Sequence, residues 1–354
     1  MEIHMVQVLG ARGSTPPRPA RLRGLTSRAG GLLLALAALA LVCLLSVWLG
    51  LKSIPFADTW SVLWHNDSSA EAVIVHELRI PRTLLGLLVG AALGLSGALM
   101  QALSRNALAE PGLLGVTMGA SSAVVIGIAF LGVSGTSGSV WLAFAGAAFA
   151  SVVVYVLGST GRAAVTPDRL IMAGAAITAV LLAFNSAVLL LDPGAFNQYR
   201  FWHVGSLAGR HMDVVTAVAP FLLGGTLLAL GLARPLNGLA LGEETGRALG
   251  VHIGRTRWLG ALAITVLCGA ATAAAGPIGF LGLAVPHIAR LLVGADQRWV
   301  LPYSAVLAPM LLLGADILGR LLVAPAELAV GIVTAVLGAP VFLALCRRRK
   351  LVHS

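Results

Sequence analysis

The sequence predicts an all-α polytopic membrane protein with about ten transmembrane helices. Of its 354 residues, 58% are hydrophobic and only 11% are charged, whereas soluble domains carry about a quarter charged residues. The mean hydropathy is +0.92. Apolar stretches of about 20 residues, the length that spans a bilayer, recur along the chain. Together these three observations exclude a soluble globular domain.

Ten apolar segments are the predicted spans, and several of them are short or interrupted by glycine and proline. They cover about residues 31–51, 83–103, 113–131, 139–158, 169–191, 213–233, 258–275, 278–293, 300–318 and 328–346.

Basic residues predict the orientation of these spans, because arginine and lysine favour the cytoplasmic side. One basic cluster precedes the first span and another follows the last, so an even number of spans leaves both termini in the cytoplasm. Residues 1–29, rich in arginine and proline, are predicted to form a disordered basic tail. Residues 30–350 then form one transmembrane domain, which includes a cytoplasmic loop over 234–257.

The net charge is +10 and the isoelectric point is about 10.9. In a soluble protein this balance would favour nucleic acid as a partner. Here the arginines separate apolar spans, so we expect no nucleic acid. Cys43, Cys268 and Cys346 lie in apolar stretches without CxxC spacing, which favours buried thiols over a disulfide or a metal site.

Glycine occurs at every fourth position of the second span, at Gly86, Gly90 and Gly94. Such spacing lets two helix backbones approach closely. Arg79 and Arg82 precede the ladder on the predicted outer side, against the charge bias of the other loops. That exception indicates a use for the pair, although either one alone is also compatible with snorkelling to the interface.

Two polar segments interrupt the spans. The loop 234–257 has helix-like apolar spacing around Glu243 and Glu244, which predicts one or two short amphipathic helices and favours partner docking over a solvated connector. On the outer side, residues 191–213 contain a cluster of aromatic side chains that is typical of an interfacial belt. Gly205 and Gly209 in the same segment predict a turn.

An internal repeat is indicated by two glycine- and proline-rich segments. Residues 108–122 ("LAEPGLLGVTMGASS") are similar to residues 274–289 ("AAGPIGFLGLAVPHIA"). The predicted topology places them on opposite sides of the membrane. That arrangement is typical of an inverted repeat with broken helices near its pseudo-axis.

Motifs for catalysis are missing from the sequence. A Walker A loop needs glycine directly before lysine, and neither Lys52 nor Lys350 meets that condition. We therefore expect no ATP hydrolysis by this chain alone. Asp316 and Arg320 are spaced for an ion pair on one helix face, with proton coupling as the alternative. Asn185 and Ser186 predict either a helix–helix hydrogen bond or part of a polar pathway.

Four blocks of the sequence resemble one family in the expected order. Residues 78–120 ("LRIPRTLLGLLVGAALGLSGALMQALSRNALAEPGLLGVTMGA") resemble the signature of iron-siderophore and vitamin B12 permeases, the FecCD-type membrane subunits of ATP-binding-cassette (ABC) importers. The other blocks are 236–251, 276–294 and 326–343. The resemblance extends over about residues 30–350.

The resemblance implies a ten-helix, inverted-repeat importer permease of type II in the bacterial cytoplasmic membrane. Its implied partners are a second permease, identical or related, two ATPase subunits that use ATP and Mg²⁺, and an extracytoplasmic binding protein. It implies no cofactor bound by this chain. The cargo is a ferric siderophore, with haem or cobalamin left open. An ion-coupled secondary transporter is the alternative from another class, and the scarcity of carboxylates within the spans argues against it.

The resemblance also implies roles for three sets of residues. The set implied to dock the binding protein is Arg79, Arg82 and Arg320. The set implied to couple to the ATPase is Leu241, Gly242, Glu243, Glu244, Arg247 and Leu249. The set implied to line the translocation path and its gate is Thr166, Asn185, Ser186 and Thr334.

Overall fold

A computed structural model describes residues 25–65, 69–133, 135–159 and 167–350, and these residues are helical with no strand. A π-helical turn at Ile74–Arg79 and a 3₁₀ turn at Pro111–Leu114 accompany the α-helices. The α-helices are α1 Leu25–Trp48, α2 Phe56–Trp64, α3 Ala70–Val73, α4 Ile80–Ser104, α5 Val116–Leu131, α6 Thr136–Ser159, α7 Pro167–Leu191, α8 Pro193–His203, α9 Met212–Gly231, α10 Ala233–Ala240, α11 Glu243–Ala248, α12 Ile253–Ala275, α13 Leu281–Val293, α14 Gln297–Leu322 and α15 Val330–Lys350.

Each of the ten predicted spans coincides with one of these helices. In the described part of the chain, 7 helical segments are long and apolar enough to cross a membrane. The remaining predicted spans coincide with shorter apolar helices, at Val116–Leu131, Leu281–Val293 and Val330–Pro340. The chain is therefore an all-helical membrane protein, as its composition predicts.

Two helices begin before the predicted boundaries. Helix α1 begins at Leu25, so the last residues of the predicted tail are helical, and residues 1–24 lie outside the described part. The second span was predicted from residue 83, but α3, the π-helical turn and α4 form one continuous helix from Ala70 to Ser104. Hydropathy missed this extension because it carries His76, Glu77 and Arg79.

Helix α4 lies at the centre of the bundle and packs against α9, α12, α13 and α14. A Cβ atom added at Gly90 would lie 2.5 Å from the Cα atom of Pro309 in α14, and one at Gly94 would lie 2.5 Å from the carbonyl oxygen of Ser304. The glycine ladder is thus confirmed as a packing device, because only hydrogen leaves room for the neighbouring backbone.

The bundle has two ends that matter for function. The arginine end is defined by Arg79, Arg82 and Arg320, where α1 and α14 finish and α4 and α15 begin. The loop end is defined by α10 and α11, where α4 finishes and α12 and α14 begin.

The two segments of the internal repeat become short helices that run in opposite directions. Helix α5 follows the 3₁₀ turn Pro111–Leu114 and runs toward the arginine end, whereas α13 follows a non-helical stretch over 276–280 and runs toward the loop end. The two breaks meet inside the bundle, since a Cβ at Gly282 would lie 3.2 Å from the Pro111 ring. Antiparallel broken helices are the arrangement that an inverted repeat predicts.

The outer polar segment differs from its prediction. Residues 193–203 form helix α8, in which Tyr199 and Trp202 are only 7% and 8% exposed. An interfacial belt is therefore the wrong interpretation for these two side chains, which pack into the core, although Phe201 is exposed. The predicted turn is confirmed, because Gly205 and Gly209 have φ angles of +74° and +66°.

Candidate functional site

Arg82 is the centre of a charged network at the arginine end. Its Nε and Nη2 atoms donate to the two carboxylate oxygens of Asp316 at 2.9 and 2.8 Å, and Nη1 donates to Glu327 at 2.9 Å. Asp316 also pairs with Arg320 at 3.1 Å. The side chain of Arg82 is 11% exposed and that of Asp316 is 1% exposed. This planar two-point contact ties α4 to α14.

The two other arginines cap the end of α1. Arg79 donates from Nη1 to the carbonyl of Val47 at 3.0 Å and from Nη2 to that of Lys52 at 2.6 Å. Arg320 donates from Nη1 to the carbonyls of Ser46 and Leu49 at 3.0 and 2.8 Å. The last carbonyls of a helix have no intrahelical partner, and cations there also oppose the negative end of the helix dipole.

Arg79 and Arg320, two of the three residues implied to dock the binding protein, are buried, with 5% and 3% of their surface exposed. Their guanidinium groups donate hydrogen bonds to backbone carbonyls of this chain, and that of Arg320 also pairs with Asp316. The predicted ion pair between Asp316 and Arg320 is confirmed. Asp316 also pairs with Arg82, which lies 234 residues away in the chain. No local spacing in the sequence could have indicated that second partner.

The loop end carries the second candidate element, a pair of short helices. Helices α10 and α11 confirm the prediction for residues 234–257, and Gly242 forms the turn between them with a φ of +103°. Leu241 and Leu249 are 62% and 63% exposed on this element, and Glu244 is also exposed. Exposed leucines beside a carboxylate form a surface suited to another protein.

The inner side of this element is bonded to two spans. Glu243 accepts from Arg257 of α12 at 2.6 Å and from Arg247 at 3.4 Å. In α10, Asn237 donates to Asp296 at 2.6 Å. The predicted coupling residues therefore divide into an outward group, which includes Leu241, Glu244 and Leu249, and Glu243, which faces inward.

Asp296 caps α14 and joins it to α10. Hydrogen bonds from Arg298, and then from Asn237, lower the pKa of Asp296 to about 2 from 3.8. A depressed pKa means that this carboxylate contributes stability fully above its unfolded pKa and that the contribution is lost as pH falls through the folded pKa. The junction between α10 and α14 is thus intact at all pH values near neutrality.

The described residues of the predicted path lie on two separate helices, Asn185 and Ser186 on α7 and Thr334 on α15. Thr166 lies outside the described residues. Asn185 is 3% exposed, and neither atom of its amide has a hydrogen-bond partner in the described part of the chain. Ser186, its neighbour, is exposed. Thr334 is 1% exposed and donates to the carbonyl of Gly331 at 3.1 Å, within its own helix.

A cavity of about 750 Å³ at the arginine end was missed by the sequence analysis. Its lining includes Trp202, Arg210, Glu327 and Ile332. Burial lowers the pKa of Arg210, and its Nε atom is buried without a partner in the described chain. A single arginine in a polar loop has no sequence motif, so only the fold reveals its position.

A bundle of apolar helices with two antiparallel broken helices, and with a short helix pair bonded to two spans, is typical of a membrane transport protein. The chain belongs to the FecCD transport family, which it matches over residues 38–348.

Curated relatives and a solved structure agree with this assignment. The chain is 50% identical over 306 residues to the ferric enterobactin transport system permease protein FepD of Escherichia coli (86% of this chain, 91% of the relative). It is 37% identical over 322 residues to the hemin transport system permease protein HmuU of Yersinia pestis (88% and 93%). An inward-facing metal-chelate type ABC transporter superposes with a TM-score of 0.80 at 27% identity (90% and 99% coverage).

Proposed function

We propose that this chain is a permease subunit of an ABC importer that carries a ferric siderophore across the bacterial inner membrane. The observation that carries the proposal is 50% identity, over 86% of this chain, to a ferric enterobactin permease. Haem is the second candidate cargo, because a hemin permease is 37% identical over 88% of the chain.

In this proposal both termini are cytoplasmic, so the loop end faces the cytoplasm and the arginine end faces outward. The basic clusters that flank the first and last spans support this orientation. A second permease completes the pore, and two separate ATPase subunits bind ATP and Mg²⁺. This chain itself holds no cofactor and no metal.

The path lies where two permeases meet, beside α7 and α15. Both helices present apolar side chains outward, and Leu190 and Val336 are 83% and 65% exposed. Asn185 supplies a buried amide on α7, Ser186 an exposed hydroxyl, and Thr166 and Thr334 complete the gate and path. A wide path with few charges suits a bulky cargo that must not bind tightly.

The α10–α11 pair is the proposed contact for the ATPase. Leu241, Glu244 and Leu249 face outward to meet that subunit. Behind them, Glu243 and Asn237 join the pair to α12 and α14. A movement of the ATPase can therefore be transmitted to two spans as a rigid displacement.

Two substitutions are expected to separate docking from transmission. Replacing Leu241 and Leu249 together by aspartate should abolish co-purification of the ATPase, because charges then occupy its apolar contact. Glu243→Gln should leave co-purification intact but lower substrate transported per ATP hydrolysed severalfold, since Arg257 loses its carboxylate. Affinity purification measures co-purification of the ATPase, and proteoliposome assays measure substrate transported per ATP hydrolysed.

Arg255→Gln, at an exposed position on α12, is the matched control and should change neither quantity. If the double aspartate variant retained its ATPase, the α10–α11 pair would not be the docking element. Full coupling in Glu243→Gln would show that the link to Arg257 transmits nothing.

The binding protein is proposed to deliver its cargo at the arginine end. Because Arg79 and Arg320 are buried, their contribution is to hold α1, α4 and α14 in place beneath the docking surface. Arg82, partly exposed, serves the same framework through Asp316 and Glu327.

Uptake of radiolabelled ferric siderophore in a strain lacking this permease tests the proposal. We expect the intact gene to restore saturable uptake, and excess haem and cobalamin to compete weakly. A partner ATPase without its Walker A lysine should abolish uptake. Uptake that survived that change would favour an ion-coupled transporter, and strong competition by haem would identify haem as the cargo.

A further inference from the structure

Helix α2 carries a row of three exposed aromatic side chains. Phe56, Trp60 and Trp64, the aromatic row, follow one another at a spacing of four residues and are 54%, 47% and 68% exposed. Their ring centroids lie 6.2 and 6.0 Å apart along the helix. A contiguous exposed apolar surface on a folded chain indicates contact with another surface. The aromatic row is therefore an interaction face that the described part of this chain leaves uncovered.

The rest of α2 is divided between protein and water. Val62, only 6% exposed, packs in a small core with Val75 of the neighbouring helix, and its carbonyl accepts a hydrogen bond from His76 at 3.0 Å. At 3.6 residues per turn, the aromatic row lies between this buried side and a polar side that carries the exposed Asp58 and Ser61. A helix with apolar and polar sides of this kind is suited to lie in a membrane interface.

The aromatic row begins at the end of a membrane span. Only 6% of the apolar window of α1 is buried inside the protein, so the surface of this span is left to lipid. Its last residue, Trp48, packs edge-on against Phe56 with a centroid distance of 5.5 Å. The row thus continues from a lipid-facing helix at the level where that helix leaves the bilayer. Tryptophan is enriched at this level because its ring is apolar and its N–H is polar.

The helix that supports α2 also leaves the hydrocarbon here. The continuous helix Ala70–Ser104 has 35 residues, which makes it about 52 Å long, whereas the hydrocarbon core of a bilayer is about 30 Å thick. Its first turns carry His76, Glu77 and Arg79, so it is this end that extends into the headgroup layer. Because α2 packs against those turns, it lies in the same layer.

The charged groups near the aromatic row already have partners. Lys52 pairs with Glu71 at 2.7 Å, and Arg79 donates to the backbone carbonyls of Val47 and Lys52. The described residues around α2 therefore include no cluster of free cations that would attract anionic headgroups. Contact with the bilayer depends on the aromatic rings themselves.

We propose that α2 is an interfacial anchor, in which the aromatic row inserts between the headgroups and the upper acyl chains of the lipid bilayer. Its partner is the phospholipid surface, whether zwitterionic or anionic. The anchor holds the segment between α1 and α4 against the membrane, including the Lys52 carbonyl that accepts from Arg79. This lipid contact is independent of the cargo and goes beyond the proposed transport function.

Electron paramagnetic resonance of nitroxide labels tests the proposal, because collisions with oxygen report lipid and collisions with a water-soluble nickel chelate report water. Trp60→Cys, Trp64→Cys and Ser61→Cys are labelled one at a time, with the native cysteines replaced by alanine, in the complete importer in phosphatidylcholine nanodiscs. At Trp60 and Trp64, collisions with oxygen should exceed those with nickel severalfold. Ser61, on the polar side of the same helix, is the matched control and should show the reverse. Phosphatidylglycerol nanodiscs should give the same result.

Hydrogen exchange of the unlabelled importer in the same nanodiscs supplies an independent readout. Replacing Trp60 and Trp64 together by serine should raise amide exchange in α2 severalfold, whereas Ser61→Ala should leave it unchanged. Labels at Trp60 and Trp64 that collide mainly with nickel overturn the proposal. Labels shielded from both reagents also overturn it and make the aromatic row a protein contact. Unchanged exchange in the double serine variant, or contact with lipid in phosphatidylglycerol alone, contradicts an anchor formed by the rings.

Discussion

Replacing Arg82 by alanine is expected to destabilise the folded protein by about 3–5 kcal/mol, the usual effect of removing one partner from a buried ion pair. The substitution leaves Asp316, 1% exposed, with Arg320 as its remaining cationic partner and removes the ion pair that links α4 to α14. The free energy of unfolding can be measured in bicelles by steric trapping.

Arg200→Ala provides the comparison, because Arg200 is exposed on α8 and should change stability by less than about 0.5 kcal/mol. Combining Arg82→Ala with Asp316→Ala should destabilise the protein by less than the sum of the two single substitutions, since each of them alone already breaks the Arg82–Asp316 ion pair. A stable Arg82→Ala protein that fails only to bind its delivery protein would falsify the structural role and restore the docking role predicted from sequence.

Gly97→Ala is expected to destabilise the protein by about 3 kcal/mol, at the upper end for overpacking of a core. A methyl group at this position would overlap the carbonyl oxygen and Cα atom of Gly282 in α13. Both are backbone atoms and cannot turn aside as a side chain can, so α4 and α13 must separate. Thermal denaturation in detergent and transport assays measure the effect.

Gly314→Ala is the matched control, because a Cβ there meets no atom within 4 Å. It lies inside α14, where alanine is intrinsically the better helix former, so its stability should be equal or slightly higher. If Gly97→Ala and Gly314→Ala behaved alike, the close contact between α4 and α13 would not contribute to stability.

Patterns of neighbouring residues predicted the features of the fold that depend on neighbouring residues alone. The ten apolar segments, the turn at Gly205 and Gly209 and the short helix pair around Gly242 were all predicted, because hydropathy and glycine conformation depend on neighbouring residues. The Asp316–Arg320 pair was predicted for the same reason, since residues at this spacing share one helix face.

Residues whose partners come from distant helices were misjudged. Arg79 precedes an apolar run, and the resemblance implies that it docks another protein, but its acceptors are the carbonyl groups of Val47, Trp48 and Lys52, at and just after the end of α1. Trp202 belongs to an aromatic cluster typical of an interface, but α8 turns it inward. Arg210 has no distinguishing neighbours at all.

The sequence by itself determined that this chain is a helical membrane permease of one family, because span length, basic flanks and glycine spacing are properties of contiguous residues. The tertiary structure alone decided what each charged group does. Burial in a bundle excludes water, so an arginine must find its acceptors among atoms brought close by packing. Arg79, Arg82 and Arg320 find them inside this chain.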